Sequence, residues 1–252
     1  MNTLVTENIN NIPLAQKEFF KSGATLDIQF RKQMLKKLLI ALDNWENRIC
    51  DALWIDLHKS YEEAFLTEIS IVRAEIKKHI KEINRWTKPR KVATPIKLFP
   101  SMSYIIKEPL GNALIIAPWN YPVQLLLNPL IGAISAGCTA ILKPSPYVPN
   151  VSNAIAQMFE ETFDKEYIAV VQGNRDVNKQ LLEKRWDIIF FTGSPSLAKE
   201  VMSAASKHLT PVILELGGKS PCIVDKDADI DMAAEIIFNA KSVKQFAFCP
   251  KK

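Results

Sequence analysis

A carboxylate followed by two glycines is the first feature of this sequence that could do chemistry. Glu215 ends an apolar run, Val212 to Leu214, which is typical of a buried strand, and Gly217 and Gly218 follow closely. Backbone without a Cβ can lie close to a ligand, so this stretch could present Glu215 as a general base. A strand that ends in a solvated glutamate and an ordinary turn would give the same pattern. Other stretches must therefore decide between the two interpretations.

Two further polar residues follow apolar runs. Asn120 lies in the turn from Ala117 to Pro122, where prolines restrict its direction, and its amide could donate to a developing oxyanion. Lys143 ends the run that begins at Ala140 and could bind an anionic or polyhydroxyl ligand. Each residue also has an ordinary explanation, because asparagine stabilises turns and a Lys-Pro pair is common in loops.

The stretch from Phe191 to Pro195 favours a phosphate site. Gly193 suits a turn, Ser194 can cap the following helix and Pro195 suits the first position of that helix. The free N–H groups and the positive dipole end of such a helix attract phosphate. A capped strand-to-helix turn is also common without a ligand, and the sequence lacks the Gly-x-Gly-x-x-Gly dinucleotide fingerprint.

The elements around these residues alternate between strands and helices. Short apolar runs predict strands over 113–116, 140–142, 168–171, 188–191 and 212–214. Helical periodicity predicts helices over 125–136, 151–163, 177–184 and 195–209. This alternation predicts an α/β fold with a Rossmann-like parallel sheet, in which ligands bind at the C-terminal ends of the strands. Each candidate residue stands at such an end.

Two long amphipathic helices are predicted before the sheet. Apolar residues recur every three to four positions over 30–57 and over 62–86, and Lys88-Pro89 ends the second helix. The segment 91–109 is interrupted by prolines and alternates between apolar and polar residues, which predicts an extended ribbon. Its 91–107 part could be a sheet edge or a contact between copies of the chain.

Composition excludes several classes of protein. The 32 basic and 27 acidic residues are scattered, which gives nucleic-acid binding little support. The four cysteines lack Cys-x-x-Cys spacing, which argues against a zinc site or a disulfide framework and favours a reducing compartment. No apolar run approaches the roughly 20 residues of a membrane-spanning helix. We therefore predict a cytoplasmic globular enzyme without a metal.

Four motifs, in this order and at these separations, resemble the aldehyde dehydrogenase superfamily, and most closely its class 3, fatty-aldehyde-type branch. They are Pro118-Trp119-Asn120, Lys143-Pro144-Ser145, Phe191-Thr192-Gly193-Ser194 and Glu215-Leu216-Gly217-Gly218-Lys219-Ser220-Pro221. The similarity extends to about Ala234. It implies an NAD(P)-binding domain over 1–214, which includes the N-terminal helices and the ribbon, and the start of a catalytic domain over 215–252.

The resemblance implies the oxidation of an aldehyde to a carboxylic acid with NAD or NADP, through a cysteine thiohemiacetal and a thioester. Asn120 would be the oxyanion donor, Glu215 would activate water, and Lys143 would lie near the adenine ribose. The other implied cofactor contacts are Trp119, Ser145, Gly193, Ser194, Pro195, Leu216 and Gly217.

The nucleophile implied by the resemblance is Cys249, which stands at the family's spacing from Glu215. The loop around it differs, because Phe246 occupies a position where the family has glycine. We interpret Cys249 as the nucleophile in an altered loop, with a chance cysteine as the alternative. Members of the family continue beyond this point with the rest of a catalytic domain and with a segment that pairs across a homodimer. We therefore expect an incomplete catalytic domain, with low stability and little turnover.

Cofactor preference depends on Pro146, which stands where NAD-preferring relatives hold a glutamate. An acid there would repel a 2′-phosphate and proline would not, so we expect NADP to be tolerated as well as NAD. Two interpretations of function remain open. One is an aldehyde dehydrogenase, and the other is a catalytically inactive nucleotide-binding or interaction protein derived from such an enzyme.

Overall fold

A computed structural model of the protein describes residues 3–242 and the side chains of residues 9–238. The helices are α1 (Thr3–Lys21), α2 (Ile28–Leu57), α3 (Tyr61–Ala64), α4 (Ser70–Trp86), α5 (Gln124–Ala136), α6 (Pro149–Thr162), α7 (Arg175–Leu182), α8 (Pro195–Ser206) and α9 (Ile230–Ser242). The strands are β1 (Arg90–Val92), β2 (Ser103–Ile105), β3 (Asn112–Ile116), β4 (Thr139–Lys143), β5 (Ile168–Val170), β6 (Ile188–Gly193) and β7 (Val212–Leu216).

Five of the strands form a parallel sheet in the order β5-β4-β3-β6-β7. Ile116 of β3 stands opposite both Lys143 of β4 and Phe191 of β6, and Thr192 of β6 stands opposite Glu215 of β7. Because all five strands run in the same direction, their C-terminal ends form one edge. The predicted α/β fold with a parallel sheet is confirmed, and the predicted strands and helices lie close to the observed ones.

Helices cover both faces of the sheet. Side chains alternate between the two faces along each strand, and on both faces they are apolar, so each face packs against helices. The face that carries Ala113 and Ile115 packs in one buried cluster with α2, α4, α5 and α6. The face that carries Leu114 and Ile116 packs in a second cluster with α1, α7 and α8. The centre of the sheet is therefore closed on both sides, and ligands can approach it at its ends.

Strand β7 lies at the edge of the sheet, so the prediction that this run is a buried strand is wrong. Helix α8 packs against β7, and Val212 and Leu214 face the second buried cluster. The opposite side of the strand is open, and Ile213 remains 45% exposed. The predicted domain boundary after residue 214 falls inside this strand, and the division into two domains stays a prediction.

The region before the sheet contains the two predicted long helices. Asp27 caps α2 by accepting hydrogen bonds from the N–H groups of Gln29 and Phe30. Helices α3 and α4 are joined by a π-helical turn (Phe65–Ile69), so the predicted second helix runs through a wider turn near its start. Helix α1 was not predicted. It packs against the sheet, where the Gln16 amide donates to the Ala140 carbonyl at 2.9 Å.

The predicted ribbon is an antiparallel pair of strands. Arg90 of β1 stands opposite Ile105 of β2, and Val92 stands opposite Ser103. Its side chains are mostly exposed. The prediction of an extended segment is confirmed for these two short strands and is wrong for the 3₁₀ turn at Ile96–Leu98 between them.

Candidate active site

The predicted site residues lie along the C-terminal edge of the sheet. Lys143 ends β4, Asn120 lies in the loop after β3, Gly193 ends β6, and Glu215 is the second-last residue of β7. The strand order β4-β3-β6-β7 sets these positions side by side. With neighbouring strands about 4.8 Å apart, β4 and β7 are separated by about 14 Å. An extended ligand could therefore contact all four positions, as ligands of doubly wound sheets do.

Lys143 is a buried cation at the end of β4. It is 1% exposed, and its ammonium donates to the carbonyl of Pro144 at 2.8 Å. In the part of the chain that the structure describes, no carboxylate lies within 4.0 Å of it. Burial lowers the pKa of Lys143 to about 8, so most molecules still carry the charge at neutral pH. An ammonium of this kind suits a ligand that brings hydroxyl or anionic oxygens.

The start of α8 is open to a ligand. Ser194 caps the helix by accepting from the Leu197 N–H at 3.4 Å, Pro195 occupies the first turn, and that turn holds no acidic residue. The positive end of the helix dipole therefore faces the sheet edge without local neutralisation. Gly193 has a packing reason of its own, because a Cβ there would lie 2.5 Å from the Phe191 ring.

The loop that carries Asn120 rests on a buried ion pair. The Lys59 ammonium lies 2.6 Å from a carboxylate oxygen of Glu68 and donates to the main-chain carbonyl of Asn120 at 2.9 Å. The other oxygen of Glu68 accepts from the N–H groups of Val123 and Gln124, at 2.7 and 3.2 Å. Burial raises the pKa of the Glu68 carboxyl, and Lys59 together with the two N–H groups opposes that shift.

Neither Lys59 nor Glu68 is among the site residues predicted from the sequence. The pairing of Lys59 leaves no local signal, since its partners lie 9 and 61 residues away along the chain. Glu68 did leave one. It falls on the same helical stripe as Val72 and Ile76, which are fully buried, and a carboxylate on such a stripe requires a partner.

The other predicted cofactor contacts lie in different environments. Trp119 is half-buried and packs against the first cluster. Ser145 is buried and its hydroxyl accepts from the Tyr147 N–H at 3.3 Å, so it stabilises its own turn. Leu216 is 43% exposed. A Cβ built on Gly217 would contact nothing within 4 Å, so the described residues give no packing reason for glycine there.

The predicted nucleophile, Cys249, lies outside the described residues, and its role stays a prediction. Two other cysteines are poor alternatives, because burial raises the pKa of the Cys50 thiol to about 11 and also raises that of Cys138. Cys222 is exposed. The proposed base, Glu215, is exposed at the open side of β7.

The described part of the chain holds neither a group of metal-ligating side chains nor a helix that could cross a membrane. Within residues 3–242, no three His, Cys, Asp or Glu side chains are grouped so as to hold a metal ion. In the same part of the chain, no helix combines the length and the apolar composition that crossing a membrane requires.

Two curated proteins are similar to most of this chain. It is 51% identical over 221 residues to 4,4′-diaponeurosporen-aldehyde dehydrogenase of Staphylococcus aureus, a match that covers 88% of this chain and 48% of the relative. It is 41% identical over 232 residues to aldehyde dehydrogenase family 3 member H1 of Arabidopsis thaliana, covering 92% and 48%. The chain thus spans about half the length of these relatives.

Solved structures agree with this similarity. A substrate-bound state of Staphylococcus aureus AldH matches with a TM-score of 0.88 at 49% identity, covering 92% of this chain and 51% of the other. An NAD+ complex of an aldehyde dehydrogenase from Bacillus cereus matches with a TM-score of 0.79 at 25% identity, covering 92% and 48%. The "Aldehyde dehydrogenase family" model matches residues 4–250. The predicted resemblance to class 3 members is thereby confirmed, and the chain belongs to the aldehyde dehydrogenase family.

Proposed function

We propose that this chain supplies the cofactor site and the catalytic side chains for the oxidation of an aldehyde to a carboxylic acid with NAD or NADP. The family match over residues 4–250 carries the proposal, since it spans every motif on which the site assignment rests.

The residues at the sheet edge fit a nicotinamide dinucleotide. The Lys143 ammonium, which lacks a carboxylate partner among the described residues, would donate to the hydroxyls of the adenine ribose. The open N-terminus of α8, after Gly193 and Ser194, would face the phosphates. When bound, the nicotinamide accepts hydride. The other residues proposed to line the cofactor are Trp119, Ser145, Pro195, Leu216 and Gly217.

The chain's own residues would then act on the aldehyde in sequence. The thiolate of Cys249 would attack the aldehyde carbon and form a thiohemiacetal, whose oxyanion would accept hydrogen bonds from the Asn120 amide and the Cys249 N–H. A positioned donor of this kind is worth about 2.7–4 kcal/mol in the transition state. The Glu215 carboxylate would later take a proton from the water that hydrolyses the thioester.

Pro146 bears on the choice between NAD and NADP. It is exposed beside the end of β4 and brings no carboxylate that would repel a 2′-phosphate. Lys143 is three positions before the family's usual glutamate site and could pair with that phosphate. We therefore propose that both cofactors bind, and that Pro146→Glu shifts the preference towards NAD.

The test follows NAD(P)H formation by absorbance with the purified chain. The substrates are hexanal, benzaldehyde and 4,4′-diaponeurosporen-aldehyde, the aldehyde in the name of the Staphylococcus aureus relative. We expect turnover to disappear in Cys249→Ser and Glu215→Gln, and kcat to fall about 10²–10³-fold in Asn120→Ala. The matched control is Cys222→Ser, which replaces an exposed cysteine and should retain full turnover.

Turnover that survives Cys249→Ser would refute the assigned nucleophile. A fluorescence titration with NAD and NADP separates binding from chemistry. The unmodified chain could bind the cofactor, lose that affinity in Lys143→Met, and show no turnover. That combination would instead support a nucleotide-binding protein without catalysis.

A further inference from the structure

A buried ion pair lies beneath the loop that carries the proposed oxyanion donor. Lys59 and Glu68 are both 0% exposed, and together they contact three main-chain groups of residues 120–124. We propose that this pair is a positioning element, which fixes the backbone of Asn120 and thereby the direction in which its amide points. The inference rests on the proposed function, because it assigns the pair to the oxyanion donor of that reaction.

Lys59 holds the front of the loop. Its ammonium contacts Glu68 at 2.6 Å, donates to the Asn120 carbonyl at 2.9 Å and lies 4.1 Å from the centroid of the Tyr121 ring. An ammonium has three donors, so two are used on oxygens and the cation also faces an aromatic ring. The peptide group that follows Asn120 is therefore held directly.

Glu68 holds the back of the loop. Its second oxygen accepts from the N–H groups of Val123 and Gln124, at 2.7 and 3.2 Å. These groups begin α5, whose own N-cap residue makes no side-chain capping bond. A carboxylate at this end of a helix also interacts favourably with the helix dipole. Glu68 therefore caps α5 from another helical segment.

The two anchors leave little freedom between them. Only Tyr121 and Pro122 separate the held carbonyl of Asn120 from the held N–H of Val123, and proline fixes its own φ. Burying two charges carries a large desolvation penalty, and apolar residues of similar volume in a core often give the same or greater stability. Charged groups with defined donor and acceptor directions do what apolar residues cannot, which is to orient particular main-chain atoms.

The first readout is hydrogen exchange measured by mass spectrometry, which needs no turnover. In Lys59→Met we expect the peptide 119–127 to exchange at least tenfold faster, with peptides from β4 and α6 unchanged. The double variant Lys59→Met/Glu68→Leu removes both charges, leaves no unpaired buried carboxylate, and should give the same local increase if the single variant does not fold.

Arg31→Met is the matched control. Arg31 is another buried cation that donates to main-chain carbonyls, at 2.6 Å to Thr25 and 3.2 Å to Ser135, away from the Asn120 loop. Its loss should leave the 119–127 peptide no more affected than the rest of the chain. Unchanged exchange of that peptide in the Lys59 variants, or an equal increase in every peptide, would overturn the inference.

The second readout is kinetic. The double variant should lower kcat at least tenfold with the aldehyde KM within about twofold. Introduced into Asn120→Ala, it should lower kcat no further than Asn120→Ala does alone. An unchanged kcat in the double variant would overturn the inference even if the loop loosens. If the unmodified chain has no turnover, the proposed function fails for this chain, while the exchange experiment still decides whether the pair holds the loop.

Discussion

Replacing Lys143 with methionine tests the electrostatics of the sheet edge. Burial lowers the pKa of Lys143 from its ordinary 10.5 to about 8. One pKa unit corresponds to about 1.36 kcal/mol, so keeping this ammonium protonated in the folded chain costs about 3 kcal/mol. Methionine retains an apolar stem without the charge, and the lost hydrogen bond to Pro144 costs about 1 kcal/mol. We expect the substitution to raise the free energy of unfolding by about 2 kcal/mol at pH 7.

The gain should depend on pH in a defined direction. Between about pH 8 and pH 10.5 the unfolded chain binds more protons at Lys143 than the folded chain does, because the folded pKa is the lower one. The free energy of unfolding of the unmodified chain therefore rises with pH through this window by virtue of this group. The advantage of Lys143→Met should accordingly fall from about 2 kcal/mol at pH 7 to about zero at pH 10.

Urea unfolding followed by tryptophan fluorescence at pH 7 and pH 10 measures both values. Lys165→Met is the control, since Lys165 has a side chain 59% exposed and pairs with Glu160 on the surface. It should change the free energy of unfolding by less than about 0.5 kcal/mol at pH 7. A lower free energy of unfolding for Lys143→Met at pH 7 would refute the idea that burial of this cation costs stability. The same difference between variant and unmodified chain at pH 7 and pH 10 would refute it as well.

Two further substitutions test the packing at the site. Glu68→Ala should lower the free energy of unfolding by about 3–5 kcal/mol, because it leaves the ammonium of Lys59 buried without its carboxylate. A loss under about 1 kcal/mol, measured by urea unfolding, would contradict the pairing. Gly193→Ala should lower the free energy of unfolding by about 1–3 kcal/mol, since its Cβ would lie 2.5 Å from the Phe191 ring. Gly217→Ala should change stability little, because its Cβ would meet no atom of the described residues within 4 Å. Equal thermal shifts for the two variants would count against this contrast.

Local sequence patterns determined most of the secondary structure and the family. Strand and helix periodicities depend on which neighbouring side chains are buried, so the runs that became β3, β4 and β6 could be recognised without knowing what covers them. The motifs around Asn120, Lys143 and Glu215 are short and local as well. Helix α1 escaped prediction, although Ile9 and Ile12 are buried on its inner side, because polar residues and Pro13 obscure its periodicity.

Tertiary structure alone decided the features that depend on distant partners. The strand order put β7 at the edge, which left Ile213 partly exposed despite its apolar neighbours. The same packing buried Lys143 with no carboxylate of the described residues within 4.0 Å, and it brought Lys59 and Glu68 under the Asn120 loop. Desolvation and ion pairing are properties of what surrounds a group in space. Residues 61 positions apart, such as Lys59 and Asn120, carry no mark in the sequence that they will meet.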